Sequence, residues 1–150
     1  MDNKYKVPTL LIGHIAMVVP DLDKAIRFLS SLGAEFSSPK SYGNRHKTTF
    51  RGETVEWKVD ICHGKIGEIG VELFQPTGEG TPYKEFLDKT GGGIHHISFD
   101  DIDDLEKERA NMEAGGARVI SSASSKTGYV AHYLETDALP GVTIEIKRRG

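Results

Sequence analysis

The sequence predicts an α+β fold in which two βαβββ modules pair within one chain. A histidine-bearing apolar stretch occurs twice, as IGHIAM at residues 12–17 and IHHISF at residues 94–99. Each stretch precedes an acidic turn and an amphipathic helix pattern, and each half closes on an acid between apolar residues, Glu72 or Glu145. A unit of half this size would leave one sheet face exposed, so we expect the two modules to pair and bury it.

Length, charge and cysteine content narrow the class of protein. The 150 residues are enough for one domain with a real core. A net charge of −3 argues against nucleic acid as a partner, because phosphate binding needs a basic surface. The single cysteine, Cys62, excludes an internal disulfide and fits a reducing compartment. With no signal-peptide run at the start and no stretch long enough to span a bilayer, we expect a soluble, cytoplasmic protein.

Residues 10–76 are expected to form the first module. Its first strand covers residues 10–19, and a helix follows from Leu22, capped by Asp21 or Asp23 and ended by Gly33. The rest is predicted as a loop at 37–44, strands at 47–51, 54–61 and 66–74, and a turn at His63–Lys65.

The second half repeats this order after a linker. Residues 77–93 are expected to be the linker, with a short helix at 83–89 and three glycines at its end. Residues 94–147 are expected to be the second module. Its predicted elements are strands at 94–99, 117–121, 129–135 and 142–147, with a helix that ends at Gly115–Gly116.

Each half supplies one histidine and one acid, and we interpret His14, Glu72, His96 and Glu145 as ligands of one divalent metal ion. A lone histidine or glutamate in a strand is more often a core or solvent-facing residue, but matching positions in two repeats favour a shared site. Strand alternation points each acid away from its apolar neighbours. Mixed nitrogen and oxygen ligands suit Zn²⁺, Co²⁺, Ni²⁺, Mn²⁺ or Fe²⁺. A structural zinc site would more typically use cysteines.

The motifs resemble those of the vicinal oxygen chelate superfamily, which includes glyoxalase I, methylmalonyl-CoA epimerase, extradiol dioxygenases and the fosfomycin and bleomycin resistance proteins. The resemblance covers residues 10–147. The sequence HIA at 14–16, followed by PDLDKA at 20–25, resembles the opening strand and helix of the family. FQP at 74–76 and GIHHISF at 93–99, followed by DID, are similar to the epimerase branch.

The resemblance implies a fold and a ligand set. The family fold has paired βαβββ modules whose sheets curl around a cleft, with metal ligands on the first and last strand of each module. Carried over, the ligands are His14, Glu72, His96 and Glu145. His96 matches better than His95 because the Ile-Ser-Phe after it aligns with the Ile-Ala-Met after His14. We expect His95 to be exposed or to lie beside a ligand.

The resemblance also implies a function. We expect a metal-dependent isomerase or lyase acting at a carbon next to a carbonyl, most like methylmalonyl-CoA epimerase, with Glu145 or Glu72 moving the proton. A glyoxalase I-type lactoylglutathione lyase is the alternative, because Glu72 stands where these epimerases carry glutamine. A non-catalytic, resistance-type binding protein is the alternative of another class. The implied substrate is a CoA thioester or a thiol adduct, and the implied assembly is a homodimer.

Other side chains could serve the site. The epimerases use a second acid on the third strand of the first module, and Glu56 and Asp60 lie nearby without aligning cleanly. His132 could face the cleft and bind substrate, or lie on the surface. The basic residues 147–149 could meet a phosphate-bearing substrate, although a solubilising tail is the simpler interpretation.

Overall fold

A computed structural model describes residues 10–43 and 47–150 of the chain. Three helices and eleven strands are assigned within these ranges. In chain order they are β1 (Ile12–Val18), α1 (Leu22–Ser31), β2 (Glu35–Phe36), β3 (Lys40–Tyr42), β4 (Lys47–Phe50), β5 (Glu53–Val55), β6 (Val59–Ile66), β7 (Ile69–Pro76), α2 (Pro82–Thr90), β8 (Gly93–Phe99), α3 (Leu105–Ala114), β9 (Arg118–Ser124), β10 (Val130–Glu135) and β11 (Thr143–Arg148). None of these helices is long and apolar enough to cross a membrane.

The strands form one mixed sheet in the order β2-β6-β7-β1-β8-β11-β10-β9-β4-β5, with β3 paired to β6. Strands β1 and β8 are antiparallel neighbours and join the two halves. Each of them has the last strand of its own half as a parallel neighbour, β7 beside β1 and β11 beside β8. This arrangement confirms the predicted α+β fold with a mixed sheet.

Helices α1 and α3 cover one face of the sheet. The Asp21 side chain accepts a hydrogen bond of 2.9 Å from the Lys24 amide and so caps α1, which decides between the two predicted caps, Asp21 and Asp23. Beneath α1 lies a buried cluster of Leu22, Cys62, Val71 and Leu73, and beneath α3 a second of Ile102, Leu105, Leu134 and Ile146. Alternation along the strands leaves Glu72 and Glu145 on the opposite face, called the inner face below.

The inner face of the first half holds a third cluster, with α2 packed against it. Its members are Ala16, Val18, Trp57, Val59, Ile61, Phe74 and the α2 residue Tyr83. Ala16 and Val18 lie two and four residues after His14 on β1, so they share its face. The predicted ligands therefore lie on the same face as a well-packed apolar cluster.

Two local predictions in the first half are wrong. The predicted turn at His63–Lys65 is part of β6, which pairs with β7 through to Ile66. Gly64 lies there because a Cβ at that position would come within 2.3 Å of the Phe36 ring, so the glycine permits close approach within a strand. The predicted loop at 37–44 contains β3, which pairs with β6.

The strand predicted at 54–61 is divided between β5 and β6. The hairpin of β4 and β5 leaves its own half and pairs through β4 with β9 of the second half. Residues 56–58 make the crossing between the two halves of the sheet. The first half therefore has more strands than the expected βαβββ pattern, and its hairpin extends the second half.

Candidate metal centre

Four neighbouring strands in the middle of the sheet carry the four predicted ligands. Glu72 lies on β7, His14 on β1, His96 on β8 and Glu145 on β11, and these strands are adjacent in that order. Ala16 pairs with both Glu72 and His96 across the ladders, which fixes the relative height of the two halves. The two halves of the sequence repeat thus place their histidine and acid at equivalent positions on either side of the β1–β8 pair.

All four side chains lie on the inner face, where three of them meet and Glu72 contacts the group through His14. Glu145 Oε2 lies 3.3 Å from His14 Nε2 and 3.3 Å from His96 Nε2. Glu72 Oε2 lies 3.4 Å from His14 Nε2. His14, His96 and Glu145 are buried and offer ligand atoms within 4.8 Å of one another, whereas the Glu72 side chain keeps 16% of its surface exposed. The core of the site is a buried triad, with Glu72 on its accessible side.

The polar atoms of this triad that face one another have no hydrogen-bond partner. Among the described residues, His14 Nε2, His96 Nε2 and Glu145 Oε2 are buried and unsatisfied. Buried polar atoms are nearly always paired in folded proteins, so three unpaired ones facing each other require an explanation. A divalent cation would satisfy all three, and imidazole with carboxylate is a suitable donor set for it. The residues present therefore fit the metal that the family resemblance implies.

The ionisation of the site follows from these contacts. Burial disfavours the charged form of His14, but the carboxylates of Asp100, Glu145 and Glu72 outweigh it and raise its pKa to about 9. Burial likewise opposes ionisation of Glu145, and the neighbouring His14, His96 and Lys147 hold its pKa well below the usual range. Without a metal, His14 holds a proton at neutral pH, and metal coordination must displace that proton.

The outer oxygen of Glu72 meets a residue that the sequence analysis placed in a turn. His63 is the cross-strand partner of Glu72, and its Nε2 lies 3.3 Å from Glu72 Oε1. Burial would raise the pKa of Glu72, but His63 and His14 together lower it. His63 could have been found by alternation, since Val59, Ile61 and His63 share one face of β6.

Asp100 is a second residue that the sequence analysis missed. Its Oδ1 lies 3.5 Å from His14 Nδ1, on the opposite side of the ring from the triad, and accepts a 2.6 Å hydrogen bond from Ser98 Oγ. Its pKa is strongly lowered because His14, Ser98 and Lys147 outweigh its burial. Alternation gives the signal, because Ser98 and Asp100 lie two and four residues after His96.

The basic residues near the C-terminus are part of the site. Lys147 is buried, with Nζ 3.5 Å from Asp100 Oδ1 and 3.9 Å from Glu145 Oε2. Arg149 Nη2 lies 3.2 Å from Asp100 Oδ2. The interpretation as a solubilising tail is therefore wrong for Lys147, whose charge lies among the acids around the triad, whereas the Arg149 side chain stays 66% exposed beside Asp100. Lys147 lies two residues after Glu145 and so shares its strand face.

Aromatic residues enclose the site. The Tyr133 ring makes an edge contact with His96 at 5.2 Å between centroids, and Tyr83 stacks on Phe74 at 4.7 Å. The two tyrosine hydroxyls are 3.3 Å apart, and burial raises the pKa of both, so they stay protonated. Trp57 packs with Tyr83 in the inner cluster. These rings exclude water from one side of the buried triad.

The candidate second acids lie in different places. Asp60 accepts a 2.6 Å hydrogen bond from Ser41 and alternates with Val59 and Ile61, so it points away from the inner face. Glu56 is exposed, in the crossing between β5 and β6, with Lys58 Nζ 2.9 Å away. The structure therefore argues against Asp60 as a second base and does not test Glu56.

His132 does not face the cleft or lie on the open surface, contrary to both predicted placements. Its Nε2 lies 3.1 Å from Glu106 Oε1 on α3, and its Nδ1 lies 2.8 Å from Ser122 Oγ. Tyr133, the next residue on β10, contacts His96, so alternation places His132 on the helix-covered face.

His95 is buried, contrary to the expectation of an exposed residue. Its Nδ1 lies 2.9 Å from His96 Nδ1, which agrees with the other expectation, that it lies beside a ligand. Burial, followed by the neighbouring His96, lowers the pKa of His95 to about 3, so this imidazole is neutral.

Comparison with known proteins identifies the family. The sequence profile of the Glyoxalase/Bleomycin resistance protein/Dioxygenase superfamily matches residues 13–132. The chain belongs to this superfamily. An ethylmalonyl-CoA/methylmalonyl-CoA epimerase of Cereibacter sphaeroides is 32% identical to this superfamily member over 119 residues, covering 78% of this chain and 79% of the relative. The mitochondrial methylmalonyl-CoA epimerase of Bos taurus is 26% identical over 141 residues, covering 91% and 73%.

Solved structures with the same fold include epimerases. Methylmalonyl-CoA epimerase from Mycobacterium tuberculosis superposes with a TM-score of 0.69 at 18% identity, covering 97% of this chain and 94% of that chain. A methylmalonyl-CoA epimerase in complex with methylmalonyl-CoA and NH4+ gives 0.69 at 22% identity, covering 94% and 95%. These likenesses establish the glyoxalase-type fold for this superfamily member.

Proposed function

We propose that this protein is a metal-dependent epimerase that inverts the carbon between the thioester and the carboxylate of a methylmalonyl-CoA-type substrate. The observation that carries the proposal is the buried triad of His14, His96 and Glu145, whose three unpaired polar atoms face one another beside Glu72. Two relatives, 32% and 26% identical to this chain, bear the name of such an epimerase, which supplies the substrate class.

The proposed ligands are His14, Glu72, His96 and Glu145, holding one divalent ion. When bound, the ion supplies Lewis-acid polarisation of a substrate carbonyl oxygen, which makes the adjacent C–H more acidic. The two carboxylates balance its charge while the two imidazoles bind as neutral ligands. Lys147 and Arg149, paired with Asp100, keep the surrounding charge close to neutral.

Glu72 is the better placed of the two carboxylates to move a proton. Glu145 is fully enclosed and lies within 3.3 Å of both histidines, so it is held in place as a ligand. Glu72 is partly exposed, and its second oxygen contacts the half-exposed His63. A carboxylate on the accessible side of the site can reach the substrate carbon and take a proton from it. His63 can then relay that proton from Glu72 to solvent. We therefore assign the base to Glu72 and a ligand role to Glu145. Because a glutamine cannot accept the proton, this assignment is specific to this chain and does not extend to the epimerases that carry glutamine at this position.

Epimerisation also needs a proton delivered to the opposite face of the carbon. We assign this role to Glu56, an exposed acid in the crossing between β5 and β6, where no strand pairing fixes the direction of its side chain. With Asp60 turned away, Glu56 is the remaining acid of the two considered. A Glu56→Gln protein is expected to exchange the substrate α-proton with solvent while losing most of its inversion activity, since removal and return of a proton on one face survive.

The test is proton exchange at the α-carbon of methylmalonyl-CoA in deuterated water, followed by NMR and by chiral analysis of the product. The metal-loaded protein is expected to incorporate one deuterium and to equilibrate the two epimers. No exchange with the loaded protein would contradict the proposal. Binding of the thioester without exchange would instead favour a protein that binds metabolites without catalysis.

Glu72 also supports a second candidate function. A carboxylate at this position is closer to bacterial glyoxalase I than to the epimerases, which carry glutamine there. A glyoxalase I-type activity would isomerise the hemithioacetal of glutathione or another thiol. Assay of this conversion beside the exchange reaction separates the two functions, because each substrate tests one of them.

A further inference from the structure

Two consecutive residues of β8 point into the same region, which a regular strand does not allow. Along the β1–β8 ladder Ile94 pairs with Met17 and His96 pairs with Ala16, so His95 has no counterpart on β1. A residue inserted in this way interrupts the alternation of side chains and bends the strand. The irregularity brings the ring of His95 beside that of His96.

The contact between the two rings is a hydrogen bond that needs one proton between the two Nδ1 atoms. Their Nδ1 atoms are 2.9 Å apart, which is hydrogen-bond distance. One of the nitrogens must donate and the other must accept, because a neutral imidazole offers one N–H and one lone pair.

The candidate metal centre decides which ring donates. His96 Nε2 faces Glu145 Oε2 at 3.3 Å and has no hydrogen-bond partner, so Nε2 is the atom available to a metal. A ligand nitrogen must present a lone pair, so His96 carries its proton on Nδ1. His96 Nδ1–H therefore donates to His95 Nδ1, and His95 carries its own proton on Nε2.

The His95 ring is held in place for this task. It is buried between Tyr83 and Phe86 of α2, with centroid distances of 5.1 Å and 5.0 Å. Because the ring is fixed on both sides, its Nδ1 acceptor already points at His96 before a metal binds. Metal binding therefore costs the His95 side chain no further conformational freedom. Helix α2 is thereby connected to the metal centre through His95.

We infer that His95 is a positioning residue that selects the metal-binding tautomer of His96 by accepting a hydrogen bond from its Nδ1. The inference rests on the proposed metal site and goes beyond it, because it assigns a role to a residue outside the ligand set. His14 has a different arrangement, with its Nδ1 3.5 Å from the Asp100 carboxylate. The two histidine ligands are thus supported by one neutral and one anionic acceptor.

The test compares His95→Asn with His95→Leu in the full-length protein. The two side chains have nearly the same shape, but the asparagine Oδ1 can accept from His96 while leucine cannot. Zn²⁺ affinity is measured by competition with a chelator. His95→Leu is expected to bind Zn²⁺ about 10- to 100-fold more weakly than wild type, as for other partners of metal-bound histidines. His95→Asn is expected to stay within a few-fold of wild type.

A spectroscopic measurement adds a readout that a packing role would not change. In the ¹⁵N-labelled, Zn²⁺-loaded wild type, the His96 Nδ1 is expected to carry a proton and to show a scalar coupling to the unprotonated His95 Nδ1. The same measurement decides the question if His95→Leu fails to fold.

Several results would overturn the inference. They are equal Zn²⁺ affinity for His95→Leu and wild type, equal weakening by Asn and Leu, or a proton on His95 Nδ1 in the loaded protein. A wild-type protein that binds no Zn²⁺ would overturn the proposed metal site together with this role. Normal Zn²⁺ binding by the wild type with any of the first three results would overturn the role of His95 alone.

Discussion

At the scale of single residues, the site is defined by what its polar atoms lack. His14, His96 and Glu145 converge without hydrogen-bond partners for their facing atoms, while the outward nitrogens of both imidazoles have acceptors. Removing one member of such a buried group leaves the others uncompensated, so each position should have a distinct effect on metal affinity.

The two carboxylates should differ when each is replaced by glutamine. Glu145→Gln removes a buried charge that lies 3.3 Å from both histidines, and we expect Zn²⁺ affinity to fall by more than about a hundredfold. Glu72→Gln changes a side chain on the accessible side of the site and keeps an oxygen ligand. We therefore expect Zn²⁺ affinity to fall by about tenfold and α-proton exchange to be abolished. Chelator competition measures the first effect. Equal losses for both variants would contradict the division of roles.

Metal affinity should depend on pH through His14. Its pKa in the metal-free protein is about 9, so below that value a bound proton must leave before the metal coordinates. Zn²⁺ affinity is therefore expected to rise about tenfold per pH unit between pH 7 and 9 and then to level off. Calorimetry in buffers of different ionisation enthalpy should count about one released proton at pH 7. Binding without proton release at pH 7 would contradict metal coordination by a His14 with a raised pKa.

Alternation and repetition made the shared face of the four candidate ligands predictable, because both can be read directly from residue spacing. The partners His63, Asp100 and Lys147 obey the same alternation, but nothing in their own sequence context sets them apart. Lys147 lies among basic residues typical of an exposed end, and His63 precedes a glycine typical of a turn. Their roles depend on which strands become neighbours, which local patterns do not determine.

At the scale of elements, the irregular start of β8 positions both of its histidines. Three glycines with positive φ precede the histidines, and the first of them caps the C-terminal end of α2, whose last residue is Thr90. At Gly92, where φ is +111°, a Cβ would come within 2.8 Å of the Val18 carbonyl oxygen. The close approach of these backbones brings β8 onto β1 at the height that aligns Ala16 with His96.

Gly92→Ala should therefore destabilise the fold more than Gly91→Ala. Gly91 also has positive φ, +77°, but a Cβ there meets no atom within 4 Å. We expect a loss of about 1 kcal/mol in unfolding free energy for Gly91→Ala and about 1–3 kcal/mol more for Gly92→Ala. Urea denaturation of both variants measures this difference. A Gly92→Ala protein as stable as Gly91→Ala would contradict the role of the close approach.

The hairpin of β4 and β5 was the least predictable element. Both strands have ordinary strand composition, and the sequence predicts a strand at residues 47–51, where β4 lies. Their pairing with β9 depends on contacts between distant parts of the chain, namely Thr48 with Ala123 and Phe50 with Ser121. Arg51 then joins the hairpin to α2 through a bidentate ion pair with Glu85, at 2.6 and 2.7 Å.

At the scale of the whole molecule, duplication explains why one site forms between two halves. Each half contributes its first and last strand to the middle of the sheet, and the β1–β8 pair brings the two sets together. Helices α1 and α3 cover the outer face of the sheet, whereas on the inner face α2 packs beside the polar side chains of the candidate site. This architecture could be predicted from the repeat, whereas the closure of the inner face by Tyr83 and Tyr133 could not.

A homodimer remains a prediction from the family resemblance. Several large apolar side chains are more than half exposed, namely Leu11, Ile12, Phe28, Leu32 and Ile94. Apolar surface of this kind often marks an interface between proteins. Light scattering is expected to give twice the 16.5 kDa mass of the chain. A mass of one chain across the micromolar range would contradict the prediction.

The central claim is that both halves hold one divalent cation between them. The most direct test is an anomalous difference map from crystals of the protein grown with Zn²⁺. The account predicts one strong peak on the inner face, about 2.0–2.2 Å from His14 Nε2, His96 Nε2 and oxygens of Glu72 and Glu145. A map with no peak among these four residues, or with Zn²⁺ bound only elsewhere, would contradict it.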